Sequence, residues 1–226
     1  MAQFINRSTG VSSRGVMLVA VVSLLACSVW PQPVFAADAI VRHSFLGVGK
    51  ANRVVIVDEQ GAIEWKFDMP ASDGWVLPDG HVLLALYGTK QFPNGGVVEV
   101  DRKTDKILFQ YRGQQKEIST VQPLPGGKFL VAELGPQPRA MVINRKGEVL
   151  RTTPLRCQKQ NFHMQTRMLR MLPNGNYLAP HLLDFAVKEY DPATGKVLRS
   201  FATDDRGRPK RDWPFTAIRL ENGNTL

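Results

Sequence analysis

The side chains best suited to chemistry near neutral pH lie between residues 163 and 181: His163, Arg167, Arg170 and His181. An imidazole titrates in that range, and a guanidinium holds a carboxylate, sulfate or phosphate by paired N–H donors. These four are the catalytic candidates; His163 and Arg167 precede MLRMLPNGNYLAPH (168–181), an apolar run interrupted by Pro-Asn-Gly, and Arg170 and His181 lie within it. A wider ligand-binding set is Asp73, Trp75, Ser119, Gln122, His163, Gln165, Arg167 and Trp213, polar and aromatic residues that precede or open apolar segments. No metal site is expected, because His43 and His81 lack a partner at ligand spacing and neither H-x-x-x-H nor C-x-x-C occurs. Gly47-Val48-Gly49-Lys50 lacks the further glycine and the Ser/Thr of a phosphate loop.

The elements that carry these residues repeat. One motif is a strand, a polar turn and a second strand: RVVIVDEQGAIEWKF (53–67), GVVEVDRKTDKILFQY (96–111), AMVINRKGEVLRTT (140–153) and AVKEYDPATGKVLRSF (186–201). Asp58, Asp101, Asn144 and Asp191 share its turn position at intervals of 43, 43 and 47 residues. The other motif is WVLPDGHVLLAL (75–86), QPLPGGKFLVAEL (122–134), MLPNGNYLAPHL (171–182) and RLENGNTL (219–226), whose Gly80, Gly127, Gly175 and Gly223 lie 47, 48 and 48 apart. β-Branched and apolar residues on either side of a Pro/Asp/Asn/Gly cluster specify two short strands and a tight turn, read here as a two-residue hairpin with positive φ. Two hairpins in about 45 residues is the period of a β-propeller blade.

The fold class is therefore all-β: a propeller of four-stranded antiparallel blades with about four repeats present. Blades are expected at 72–111, 119–154 and 165–202, with partial blades at 53–67 and 213–226. The hairpin 53–67 has no inner strands assigned ahead of it, so it would be the outer half of a closing blade. Pairing it with 213–226 would close a ring of four, but a chain cut from a six- to eight-bladed form is the preferred expectation. On this phase one rim carries tight turns and the other long irregular segments, including 86–96, 112–120, 133–139 and 154–166. Ligands are expected at the long-loop rim, since loops on a rigid scaffold carry binding residues. By the same phase Pro173, Asn174 and Gly175 are a scaffold turn on the short rim.

The repeats resemble those of exported bacterial quinoprotein-like (PQQ-like) and WD40-like propellers, most closely at Asn52 to Phe67 and Leu172 to Ala179. For a quinone dehydrogenase the resemblance implies a tryptophan docking motif in each blade, a vicinal cysteine pair and calcium ligands. Only Trp65 stands at the docking position, with Phe109, Arg151 and Arg199 elsewhere, and no Cys-Cys occurs. No quinone or other cofactor is expected. Bacterial arylsulfotransferases also use exported propellers lined by histidines and arginines, and His163, Arg167, Arg170 and His181 are a partial match without an alignable motif. A scaffold that binds a ligand or partner is the leading reading and such a transferase the alternative, because the fold alone does not choose between them.

Residues 1–36 read as a signal peptide: basic Arg7 and Arg14, the apolar run 16–29, and a small-residue site ending in Val34-Phe35-Ala36. Domain 37–226 would then be the exported, periplasmic or secreted chain, without a spanning segment. Lipidation of Cys27 in Leu24-Leu25-Ala26-Cys27 is the alternative, giving an envelope lipoprotein. Loss of Arg7 and Arg14 takes the net charge from +9 to +7. Cys157 would remain the only cysteine, so no internal disulfide is available. The basic segment RGRPKR (206–211) is offset by Asp204, Asp205 and Asp212, and the remaining charge is dispersed. Nucleic acid is not an expected partner; a small molecule, glycan or protein at the long-loop rim is.

Overall fold

The computed structural model describes residues 42–51, 53–203 and 213–226. Residues 1–36, on which the expected signal peptide and Cys27 fall, Asn52 and the basic run 206–211 lie outside the described residues. Among the described residues fifteen strands form four antiparallel sheets. The first contains β1 (Phe45–Gly49), β2 (Arg53–Val57) and β3 (Ile63–Phe67). The second contains β4 (Ala71–Val76), β5 (Val82–Leu86), β6 (Gly96–Val100) and β7 (Ile107–Arg112). The third contains β8 (Glu117–Leu124), β9 (Lys128–Leu134), β10 (Arg139–Asn144) and β11 (Val149–Pro154). The fourth contains β12 (Arg170–Met171), β13 (Tyr177–His181), β14 (Ala186–Tyr190) and β15 (Val197–Ala202). In every sheet the strands lie in chain order.

The strand pairing differs from the sequence reading in two places. The hairpin 53–67 is not alone, because β1 pairs with β2 from Phe45↔Val57 to Gly49↔Arg53. FLGVG is short and glycine-rich, which hides it from an alternation search. Nor do residues 213–226 pair with 53–67: they form an Arg219↔Thr225 bridge among themselves, and Ala217 packs against Leu172, Leu178 and Val187 of the fourth sheet.

The core lies between successive sheets. β5 (VLLAL) and β6 (GVVEV) are buried at every position because a neighbouring sheet covers each face. Outer strands such as β7 and β15 expose most or alternate residues. Val54, Ile56 and Trp65 meet Leu84 and Val98 between the first and second sheets. Phe109 and Phe129, 5.1 Å between ring centroids, sit between the second and third, and Leu130, Tyr177 and Tyr190 between the third and fourth. The tryptophan at the docking position is structural here: Trp65 stacks on Phe67 and donates from Nε1 to Asp105 at 2.9 Å.

The turns at Gly80, Gly175 and Gly223 are three-residue loops rather than the expected two. Leu77 N bonds His81 O at 2.8 Å and Gly80 N bonds Leu77 O at 2.9 Å, with φ of +86° at Gly80. Only that glycine needs positive φ, the geometry of a type I turn followed by a bulge. In the other hairpin Asp58, Asn144 and Asp191 each accept two backbone N–H bonds from their own turns, and Asp101 accepts the Lys103 N–H and the Thr104 hydroxyl, which makes them turn organisers.

One glycine in a long-rim loop is fixed by its neighbours. At Gly95, φ is +74°, and a Cβ there would lie 2.6 Å from Leu86 O and 2.9 Å from Ile118 N of the next sheet. We expect Gly95→Ala to destabilise the fold by about 2 kcal/mol or more, from the left-handed backbone penalty plus the clash, read as a lowered denaturation midpoint at unchanged slope.

Candidate functional site

The innermost strands β4, β8 and β12 are stitched to one another by side chains. Asp73 Oδ2 accepts from Val121 N at 3.1 Å, and Trp75 Nε1 donates to Val121 O at 2.7 Å. One sheet later, Thr120 Oγ1 accepts from Leu169 N at 3.3 Å and Gln122 Oε1 from Met171 N at 2.8 Å. Three ligand-binding candidates, Asp73, Trp75 and Gln122, therefore satisfy backbone groups that sheet pairing leaves open. Ser119 is fully enclosed at the bulge between Ile118 and Thr120, its hydroxyl without a hydrogen-bond partner.

Arg170 joins the second and fourth sheets. Its guanidinium donates to both oxygens of Asp73, at 2.8 and 3.0 Å, and lies 5.2 Å over the Trp75 ring. Burial pushes the Asp73 carboxyl above its usual range, while Arg170 and the N–H groups of Val121 and Gly74 pull it back.

His181 and Gln165 are inside the fourth sheet's packing. Gln165 accepts from Gly135 N and donates to Gly135 O, both at 2.9 Å, and is 1% exposed. His181 is fully buried: Nδ1 donates to Gln165 O at 2.9 Å, so Nε2 is the acceptor for the Tyr190 hydroxyl at 2.7 Å. Burial depresses its pKa to about 4. It is a neutral packing histidine, not a partner for His163. Trp213 is 47% exposed and takes part in none of these contacts.

The remaining candidates, His163 and Arg167, do meet. His163 sits on a single 3-10 turn, Phe162–Met164, and directs Nδ1 to Glu117 Oε2 at 2.8 Å. Arg167 donates from Nη1 to Glu117 Oε1 at 2.8 Å, and its Nη2 lies 2.6 Å from His163 Nδ1. The Glu117 carboxylate as acceptor at Nδ1 and the Lys50 ammonium as donor 3.2 Å from Nε2 together place the ring proton on Nδ1, so Arg167 Nη2 beside that atom is a close contact and not a hydrogen bond. The Tyr87 ring lies 6.0 Å from the imidazole, with Lys50 5.3 Å above it. Burial pushes the Tyr87 hydroxyl above its ordinary range, with Arg167 opposing and Glu117 adding.

Each sheet contributes to this cluster. Lys50 comes from the β1–β2 turn, Tyr87 from the β5–β6 loop, Glu117 from the start of β8, and His163 and Arg167 from the segment before β12. That segment is irregular. β12 has two residues where β8 has eight, and Met168 takes φ of +45°, so Arg167 turns to Glu117 instead of extending the sheet. Arg167 and Glu117 are 3% and 5% exposed, whereas the His163 side chain is 34% exposed and Lys50 is on the surface. The buried pair is neutral as a unit, and the groups offered to solvent are Lys50, His163 and Tyr87.

Sequence reasoning missed Glu117, Lys50 and Tyr87. Glu117 had one signal, an acidic residue at the end of a long loop entering an apolar strand. Lys50 was weighed only as part of a phosphate loop, and Tyr87 carried no signal.

The fold also gives His81 partners that the sequence did not. Asp79, His81 and Glu99 each place a donor atom within 4.8 Å of the others, with His81 Nδ1 3.1 Å from Glu99 Oε1. Arg145 of the next sheet lies 2.7 Å from Glu99 Oε2. The equivalent carboxylate of the fourth sheet, Glu189, is held in the same way by Asn176 at 2.7 Å and Arg219 at 2.9 Å. The cluster thus matches a repeated clamp between consecutive repeats.

No family model matches the chain, and no curated protein matches it. Among solved structures it is similar to a protein of unknown function from Bacteroides caccae, with TM-score 0.67 and 24% identity over 81% of this chain and 64% of that one. It is also similar to the WD40 β-propeller domain of Doa1, with TM-score 0.58 and 14% identity over 82% and 57%. The chain spans less than two thirds of either neighbour's length. Its four consecutive antiparallel sheets, stacked face on face in chain order, are β-propeller repeats.

Proposed function

We propose that this is an exported β-propeller scaffold that binds a ligand bearing an anionic group at the mouth formed by Lys50, Tyr87 and His163. The observation that carries the reading is the convergence of four successive sheets on one cluster, with a buried Glu117–Arg167 pair fixing the imidazole beneath a surface lysine. A rigid scaffold that holds cationic and hydroxyl donors at one point is suited to a carboxylate, sulfate or phosphate. Export rests on the character of residues 1–36, and a mature N-terminus at Ala37 after secretion is the measurement for it.

Sulfate and phosphate are direct probes. Calorimetric titration of the wild-type protein should show saturable binding that weakens as salt rises. Lys50→Ala and His163→Ala should each reduce affinity roughly fivefold, the scale of a half-exposed charge contact. Absence of saturable binding, or equal binding by Lys50→Ala/His163→Ala, would reject the reading.

The contact between Glu117 and His163 favours one second reading. A carboxylate that orients an imidazole with Nε2 outward is the arrangement of an acid–base group. This supports transfer chemistry of the arylsulfotransferase kind. Release of nitrophenolate from a nitrophenyl sulfate donor with a phenol acceptor, abolished by His163→Ala, is its expected signature. No release above background excludes it.

A further inference from the structure

We infer that the cleft between the third and fourth sheets on the long-loop rim is a second site, for an acidic oligosaccharide. The cleft measures about 780 Å³ and is walled by the β9–β10 loop, the start of the β11–β12 segment and Asp184. This is within the range of small-molecule sites. Leu155, buried to 3% exposure, forms part of its floor.

The charges in the cleft divide into paired and unpaired. Arg139 is held by Glu133 at 2.6 Å and Asp184 by Lys188 at 2.5 Å. Arg156 and Lys159 line the same space, and their side chains form no ion pair among the described residues. The cleft therefore presents two uncompensated cations in a protein of net charge +9. Beside them stand the carboxamides of Gln137, Gln158 and Gln160, each exposed. Amides offer both donor and acceptor, which matches hydroxyl groups, while cations match carboxylate or sulfate.

A neighbouring recess of about 550 Å³ between the second and third sheets shares Gln137 and Arg139 and adds Asn94, Gln114 and Lys116. The two recesses share Gln137 and Arg139 and lie side by side on the rim, which suits an elongated, repeating ligand better than a compact one. No aromatic residue lines either recess, which removes the stacking platform that single-stranded nucleic acid requires.

The inference builds on the scaffold reading but uses different residues from the mouth, so the two separate experimentally. The probes are an oligogalacturonate and a sulfated dextran oligomer of defined length, with neutral dextran and poly-glutamate as comparators, titrated into the full chain by calorimetry. Binding of at least one acidic sugar oligomer, weaker in high salt and absent for neutral dextran, is the expected result. Arg156→Ala/Lys159→Ala should lower its affinity roughly five- to tenfold, the sum of two rim charge contacts, at unchanged thermal midpoint. Lys50→Ala should leave it intact, and the cleft variant should leave sulfate binding at the mouth intact. Failure of both acidic oligomers to bind, equal binding by the cleft variant, or equal binding of poly-glutamate would overturn the inference.

Discussion

Glu117→Ala will destabilise the protein by about 3–5 kcal/mol, the cost of stranding a buried cation. Arg167 is 3% exposed, and its strongest partner is the Glu117 carboxylate at 2.8 Å. Removing that carboxylate leaves a guanidinium with only the Thr166 carbonyl, at 3.2 Å, and the His163 ring beside it. The cost comes from the unpaired charge and not from any large intrinsic worth of the pair. A double-mutant cycle in urea separates the two. Glu117→Leu/Arg167→Met should be more stable than either single variant, with a coupling above about 1 kcal/mol. If Glu117→Ala loses less than about 1 kcal/mol, the pair is hydrated and the mouth lacks the buried support proposed for it. The same variant releases His163, so sulfate binding should weaken even at temperatures where the fold survives.

The second large effect is on pH. In the unfolded chain His181 titrates near its ordinary 6.5, and in the folded protein burial holds it to about 4. Between those values the unfolded state binds a proton that the folded state does not, so stability is full above pH 6.5 and falls as pH drops toward 4. That depression corresponds to about 3 kcal/mol at the lower limit. Denaturant midpoints measured from pH 7 to pH 4 should decline more steeply for the wild type than for His181→Gln, which cannot titrate. Parallel curves would show that the site opens to solvent and that Nε2 is not confined by Tyr190. The carboxylates of Asp101 and Asp191, held low by their turn N–H bonds, contribute at more acidic pH in both proteins.

The repeat was legible because it rests on local rules. A positive-φ glycine and an Asx turn are dictated within five residues, so the places of the LP-x-G and D-x-x-G turns were readable even though the LP-x-G loops are one residue longer than expected. β1 was missed because a five-residue strand with two glycines has no alternation to detect. The long-loop rim was likewise readable from loop lengths, and both the mouth and the cleft lie on it.

Roles within that rim were not readable. Asp73, Trp75 and Gln122 had the residue types of a pocket, yet they bond the backbone of a strand about 48 residues away. Arg170 reaches Asp73 across 97 residues, and Glu117 was not distinguished from other loop acids until Arg167 and His163 closed on it.

The sequence by itself determined the all-β class, the period, the turn chemistry and the rim on which long loops gather, because each follows from neighbours along the chain. Only the tertiary structure decided which histidine is sealed and which is presented, and which arginine fixes the scaffold and which supports the mouth. Those outcomes depend on burial and on partners from other sheets, and the free energy of a charged group is set by what surrounds it rather than by its position in the chain.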